Sequence, residues 1–321
     1  MKLKNNGKIN FIIDLFLDLD NYMSGGLIAL HKLAYVLAEK GHNVYVFCKP
    51  GYPHENITVI PSKVNIIEGH RYGCTWEAFS YNPNTTVSIY PEHSIKNKFN
   101  TKHNVRWIMY HTTKENEENF NDSDYIFNYG NFKTHTKRSD GVLRVIDYNT
   151  EVFFNENKDR EGFCFIHGKQ TPVIYKELLK VFSYDDITHI HKKQTDLNLL
   201  RKAFNKYEFF ITFDEKTYLT TAAALCGCRV IILTDKEDKY GKKTYVDKSN
   251  NQYDINEKLT PTEYRIGNPL NRYGVAYGLE DISWSINTTH MVREHVKNLE
   301  EIDNKYLNKF INLWEKKCYG Q

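Results

Sequence analysis

A chain of 321 residues with 40% hydrophobic and 26% charged side chains is long enough for two domains with separate cores and is neither disordered nor fibrous in composition. Its formal net charge of +3 is too small to imply a nucleic-acid partner. No stretch approaches the roughly 18 apolar residues of a membrane span, and the short apolar run after the basic start is broken by Asp14 without a small-residue cleavage site, so it predicts a strand.

In chain order, Ile9 to Ile13 reads as a buried strand and Asp14 to Ser24 as a loop. Gly25 and Gly26 lead into a helix over Leu27 to Lys40, whose apolar residues Leu27, Leu30, Leu33, Ala34 and Leu37 recur at helical spacing. Gly41 stops it, and Asn43 to Cys48 is the next strand. This is the opening of a nucleotide-binding type of βαβ unit, but it lacks the G-x-G-x-x-G fingerprint of a dinucleotide site. Strands follow at Thr86 to Tyr90 and Val105 to Tyr110, each ending in polar residues: Pro91-Glu92-His93 and His111-Thr112-Thr113. The polar, turn-rich stretch from Asp147 to Arg160 is expected to link two domains.

A second βα series begins at Phe163, with strands at Phe163 to Ile166 and Ile187 to Ile190, and helices at Ile174 to Phe182 and Leu197 to Phe204. Alternation of this kind predicts a second parallel sheet. Its clearest unit is a strand, Phe209 to Phe213, that ends at Asp214 and passes into a small-residue helix, Thr217 to Cys226. Gly227 stops that helix and a further strand runs from Arg229 to Leu233. A helix N-terminus at the carboxyl edge of a parallel sheet presents unpaired N–H groups that suit a phosphate. Tyr240 to Glu263 reads as a charged loop and Ile282 to Lys317 as one or two helices.

Cys48, Cys74, Cys164, Cys226, Cys228 and Cys318 have no regular spacing, and Cys226 and Cys228 are not separated by the two residues of a redox or zinc pair. Reduced, mostly buried thiols in a cytoplasmic protein are expected. The 23 tyrosines and 18 phenylalanines are compatible with ring faces stacked on sugars, and equally with an aromatic core. His189 and His191 share a strand face, but no third ligand with helpful spacing accompanies them, so no metal site is expected.

Four blocks occur in order across most of the chain: SGGLIALHKLAYVLAEKGHNVYVF, then YPE with a strand opening VRW, then FDEKTYLTTAAALCGC, then NRYGVAYGLEDISWSINTTHMVREH. Together they resemble a group of small bacterial- and viral-type GT-B glycosyltransferases. The resemblance implies an α/β fold of two Rossmann-like domains facing across a cleft and closed by C-terminal helices. The expected boundaries are an acceptor-side domain over 1–150, a nucleotide-sugar donor domain over 151–285, and helices over 286–321 packing back towards the first domain. It further implies hexosyl or pentosyl transfer from a nucleotide sugar to a glycan or lipid-linked acceptor. Neither a metal nor a cofactor beyond the donor is expected, and peripheral membrane association is compatible with such an acceptor. The chain departs from the largest retaining class, which carries two glutamates eight positions apart; Asp214 and Ala222 stand there instead. A nucleotide-sugar epimerase and a non-catalytic binder of nucleotide sugar or glycan are the alternatives.

Within that reading, Lys169 and the helix start at Thr217 are the candidates for the donor diphosphate, Asp214 for a ribose or sugar hydroxyl, and Tyr218 and Arg272 for further donor contacts. Each also has a plain structural reading, as a loop lysine, a capping residue or a turn former. His111 is the preferred general base for the acceptor hydroxyl and Glu92 the next, because an imidazole ordinarily titrates near 6.5 and both residues follow apolar strands. Gly25, Gly26 and His93 are the candidates for acceptor contacts.

Overall fold

The computed structural model describes residues 8–15, 25–48, 64–68, 82–94, 97–130, 132, 134–146, 148–166, 187–189, 196–212, 218–233, 244–246, 252–254, 261–262, 265 and 268–320. The chain forms two compact units, one of Met1–Asp147 with Glu300–Gln321 and the other of Tyr148–Leu299. Each is built on its own parallel sheet.

The first unit contains β1 (Asn10–Asp14), α1 (Gly25–Glu39), β2 (Asn43–Cys48), β3 (Val64–Glu68), β4 (Thr86–Pro91), β5 (His103–Ile108), α2 (Lys114–Glu117), β6 (Tyr125–Asn128) and β7 (Gly141–Val142). All neighbours pair parallel, in the order β3-β2-β1-β4-β5-β6-β7. β4 and β5 are buried at every position because both sheet faces are covered. On one face Phe11, Ile13, Val46, Ile89 and Trp107 pack with Leu30, Leu33 and Leu37 of α1. On the other, Ile12, Phe47, Tyr90 and Phe99 form a second layer.

The second unit contains β8 (Phe163–Ile166), β9 (Ile187–His189), α3 (Leu197–Lys206), β10 (Phe209–Thr212), α4 (Tyr218–Leu225), β11 (Arg229–Ile232), β12 (Thr244–Val246), β13 (Gln252–Asp254), β14 (Val275–Tyr277) and α5 (Ile282–Thr288). The main sheet is parallel, in the order β14-β11-β10-β8-β9. Asp196 starts α3 by accepting from the N–H groups of Asn198 (2.8 Å) and Leu199 (3.2 Å). Gly227 ends α4 at φ +85°, where a Cβ would also meet Asn155 Nδ2 at 2.8 Å. Gly274 is restricted in the same two ways: its φ is +72°, and a Cβ would lie 2.7 Å from Val292 Cγ2 and 3.1 Å from Ala224 Cβ.

The last helix, α6 (Val292–Tyr319), starts in the second unit and ends in the first. Its Leu307, Phe310, Ile311 and Trp314 join the first unit's core. Phe310 stacks at 6.1 Å on Phe11 and meets Phe127 edge-on at 5.0 Å. No helix among the described residues is long and apolar enough to cross a membrane.

Several expectations are corrected. Gly25 and Gly26 form the first turn of α1 and not a loop before it; glycine is tolerated at helix N-termini. β5 begins at His103 and ends at Ile108, so Tyr110 stands beyond it. The expected charged loop holds the antiparallel pair β12 and β13. The boundary between the units falls at Asp147 and Tyr148, inside the expected linker, but the rest of that stretch packs within the second unit: Phe153 is buried and meets Phe204 at 6.4 Å, and Arg160 donates to the Phe204 carbonyl at 2.7 Å. The expected helix over Ile174 to Phe182 lies outside the described residues, as does His191.

Candidate functional site

In the first sheet α1 carries the chain from β1 to β2 on one side, whereas β4 lies on the other side of β1. The strand order therefore reverses between β1 and β4, and the crevice at their carboxyl ends is where open α/β sheets bind ligands. Asp14 ends β1, Glu92 and His93 follow β4, and His111 lies three residues past β5. All four stand on this edge.

Glu92 is held between two strand ends. Its side chain is 12% exposed, Oε2 accepts from the Met109 N–H at 3.1 Å, and Oε1 faces His93 Nδ1 at 3.8 Å. That second separation is too long for a hydrogen bond and leaves an electrostatic contact. His93 is more open, with a 44% exposed side chain. His111 is half-buried, its ring edge-on to Phe132 at 5.3 Å and to Tyr110 at 5.8 Å. Gly26 borders the same edge, and a Cβ there would meet Met109 Cε at 3.7 Å, an ordinary contact that requires no glycine.

Three buried charged groups hold this edge in place, and sequence reasoning assigned none of them a role. Asp14, fully buried, accepts from Ser94 Oγ and Lys98 Nζ, both at 2.7 Å. Arg106, also fully buried, donates to Asp124 Oδ2 at 2.8 Å, to the Ser94 carbonyl at 2.8 Å and to the Asn119 carbonyl at 3.0 Å. Its guanidinium also lies 4.8 Å from the Tyr90 ring and 5.0 Å from that of Phe120. The turn carrying Glu92 and His93 is thus tied through Ser94 by hydroxyl and by carbonyl. The signal for Asp14 was present, since it ends a buried apolar run.

Glu117 is the third. It accepts from Thr112 Oγ1 at 2.5 Å and the Thr136 N–H at 3.0 Å, and from the His135 N–H and the Thr136 hydroxyl. This ties the segment after β6, which includes Phe132, to the residue next to His111. Burial alone would raise the Glu117 carboxyl, but the bonds from Thr112, Thr136 and the two backbone amides outweigh it and hold the group below its ordinary value. A lowered carboxyl contributes stability that is present above the ordinary value of 4.5 and is lost as the pH falls through the folded-state value. Glu117→Gln is accordingly expected to lower stability at pH 7 and to weaken its decline below pH 4.5, in urea titrations across that range. An unchanged acid limb would remove Glu117 from this role.

In the second sheet the order reverses between β8 and β10, which end at Ile166 and Thr212. Lys169, Asp214 and Thr217 lie in the segments that follow and are outside the described residues. Tyr218 opens α4; its hydroxyl accepts from Asn149 Nδ2 at 2.7 Å and its ring meets Phe153 at 6.1 Å. Arg272 is exposed, its guanidinium 5.5 Å from the Tyr273 ring and its carbonyl accepting from Trp284 Nε1 at 3.1 Å. It precedes β14, so it stands at the amino end of a parallel strand, away from the carboxyl edge on which α4 begins. Beyond the other end of β14, Asp281 accepts from the Tyr277 N–H at 2.9 Å and pairs with Arg265, whose guanidinium lies 4.3 Å from the Trp284 ring.

Cys48, Cys164, Cys226 and Cys228 are buried free thiols. Burial, with the neighbouring Cys228, pushes the Cys226 thiol up to about 12, so it is not a nucleophile at neutral pH. Among the described residues no group of three or more His, Cys, Asp and Glu side chains could hold a metal ion.

No family model matches the chain, and no curated protein does. Among solved structures, the chain is similar to the wall teichoic acid polymerase TagF at 12% identity over 99% of this chain and 91% of that one, with a TM-score of 0.47. It is similar to MurG of Acinetobacter baumannii at 9% identity over 96% and 99%, with a TM-score of 0.42. A UDP-N-acetylglucosamine 2-epimerase is similar at 9% identity over 91% and 95%, also with a TM-score of 0.42.

Proposed function

We propose that this chain is a GT-B glycosyltransferase that moves a hexosyl or pentosyl group from a nucleotide sugar to a hydroxyl of a glycan or lipid-linked acceptor, in the cytoplasm and without a divalent metal. The observation that carries the reading is the pairing of two separate parallel sheets, each with its own strand-order reversal, with a carboxylate and two imidazoles on the first sheet's carboxyl edge. The four sequence blocks, by their resemblance, support the choice of family. In this reading His111 takes the proton of the acceptor hydroxyl as its oxygen bonds to the anomeric carbon, and the bond from that carbon to the donor phosphate breaks. Lys169 and the amide groups around Thr217 stabilise the departing diphosphate. Asp214 and Tyr218 hold donor hydroxyls or ribose, and Gly25, Gly26 and His93 border the acceptor; Arg272, at the amino end of β14, has no part in this reading. Metal independence is supported by the second half of the sequence, which has no Asp-x-Asp pair after a strand.

A thermal-shift screen with UDP, GDP, CMP and dTDP is expected to single out one base. Loss of one charge-assisted contact in Lys169→Ala should then weaken binding of that nucleotide by roughly 1.5–3 kcal/mol in calorimetry. Wild-type affinity in the variant would move the diphosphate elsewhere. Turnover should persist in EDTA; loss of turnover restored by manganese would overturn the metal-free reading. Isomerisation of the nucleotide sugar without an acceptor would favour the epimerase.

A further inference from the structure

The carboxyl edge of the first sheet carries a stack of aromatic rings that the proposed chemistry does not use. Trp107, fully buried, meets Tyr129 at 5.8 Å; Tyr129 stacks on Phe132 at 6.5 Å and 27°; Phe132 meets Tyr110 at 5.5 Å. The Trp107 end of the stack is the interior one, and Tyr129 next to it is partly buried. At the outer end Tyr110 is 61% exposed. A single exposed tyrosine is unremarkable in a folded protein. This one is backed by a chain of packed rings, and it follows Met109, whose N–H is bonded to Glu92. The ring meets the His111 imidazole at 5.8 Å and stands on the sheet edge that also carries Glu92 and His93.

We infer that Tyr110 is the platform of a carbohydrate subsite, on which a pyranose of the acceptor stacks by its C–H face while its hydroxyls reach Glu92 and His93. A ring platform could in principle take a sugar, a nucleobase or an acyl chain. A nucleic-acid strand is disfavoured because, within residues 109–118 around Tyr110, Glu115, Glu117 and Glu118 outnumber Lys114, the reverse of a phosphate-tracking groove. An acyl chain offers no donor or acceptor to the carboxylate and imidazoles of this edge and would remove them from water, at a cost. A pyranose has one apolar face and a rim of hydroxyl donors, which matches a ring on an edge that carries a carboxylate. The inference rests on the transferase reading and specifies the chemical class of its acceptor.

Saturation-transfer NMR on the full chain, with methyl glycosides of glucose, galactose, mannose and N-acetylglucosamine as probes, tests this. At least one glycoside should show saturation concentrated on the C–H groups of one ring face. Tyr110→Phe should retain the effect, and Tyr110→Ala should weaken binding roughly two- to tenfold with an unchanged melting temperature. Nucleotide binding, measured on the same samples, separates the two readings. If a nucleotide binds but no glycoside is saturated, or if Tyr110→Ala binds the glycoside as wild type does, the subsite is overturned and the transferase reading stands. If a glycoside binds through Tyr110 but no nucleotide binds, the subsite stands and the transferase reading falls. Tyr110-dependent saturation of dinucleotides in place of glycosides would also overturn the subsite.

Discussion

Replacing His111 by alanine is expected to lower turnover by roughly 10²–10⁴-fold, the contribution of a positioned general base, while leaving nucleotide affinity nearly unchanged. The geometry sets this out. The ring lies three residues past β5 and is braced by Phe132, and the segment after Phe132 is clamped to Glu117 through His135 and Thr136. A base acts only in the transition state, so kcat and kcat/KM should fall together in steady-state kinetics. The comparison with Glu92→Gln decides between the candidates. Glu92 already spends one oxygen on the Met109 amide and turns the other towards His93, which suits orientation as well as proton transfer. If turnover survives in His111→Ala and collapses in Glu92→Gln, the carboxylate is the base and the ranking is reversed. A full rate in both variants would place the base elsewhere.

The second large effect is on stability. Arg106 and Asp124 have fully buried side chains 2.8 Å apart. Removing one partner of such a pair leaves an uncompensated charge in the core, at roughly 3–5 kcal/mol. Asp124→Ala should cost about that much, because Asp124 also accepts from the Asn121 N–H at 3.0 Å. Arg106→Met combined with Asp124→Leu should cost less than the single change, since no unpaired charge remains. A double-mutant cycle from urea unfolding measures the difference. A loss below about 1 kcal/mol in Asp124→Ala would show that water reaches Arg106 and relieves it.

Much of this architecture was legible because the strands are apolar runs cut off sharply by polar residues. β1, β2, β4, β8, β10 and β11 all carry that mark. β3, β6, β7 and β14 did not stand out. β7 has two residues and β14 three, too few for any pattern, and they are strands by virtue of their neighbours. Missing β14 had a consequence at the site: without knowing where that strand begins, Arg272 could not be placed at its amino end. The buried charges were illegible for another reason. Asp14 finds its hydroxyl partner 80 positions away, and Glu117 finds the His135 amide 18 positions away, so only the tertiary fold brings them together. Glu92, His93 and His111 were easier, since residues ending adjacent parallel strands share an edge.

The helix α6 has a bearing on how the protein is made. The chain leaves the first unit at Asp147 and returns only at Glu300, and Phe310 and Trp314 belong to that unit's core. At roughly 5–20 residues per second of synthesis, the ribosome needs on the order of ten seconds or more to supply them after β7 has emerged. During that interval the nascent sheet has α1 to cover it but not α6, and the rings of Phe11 and Phe127 lack their partner. The second unit, encoded without interruption, has all its strands before the first can finish. Translation therefore favours closing the later unit before the earlier one, and it leaves an apolar surface on the growing chain that a chaperone would have reason to hold.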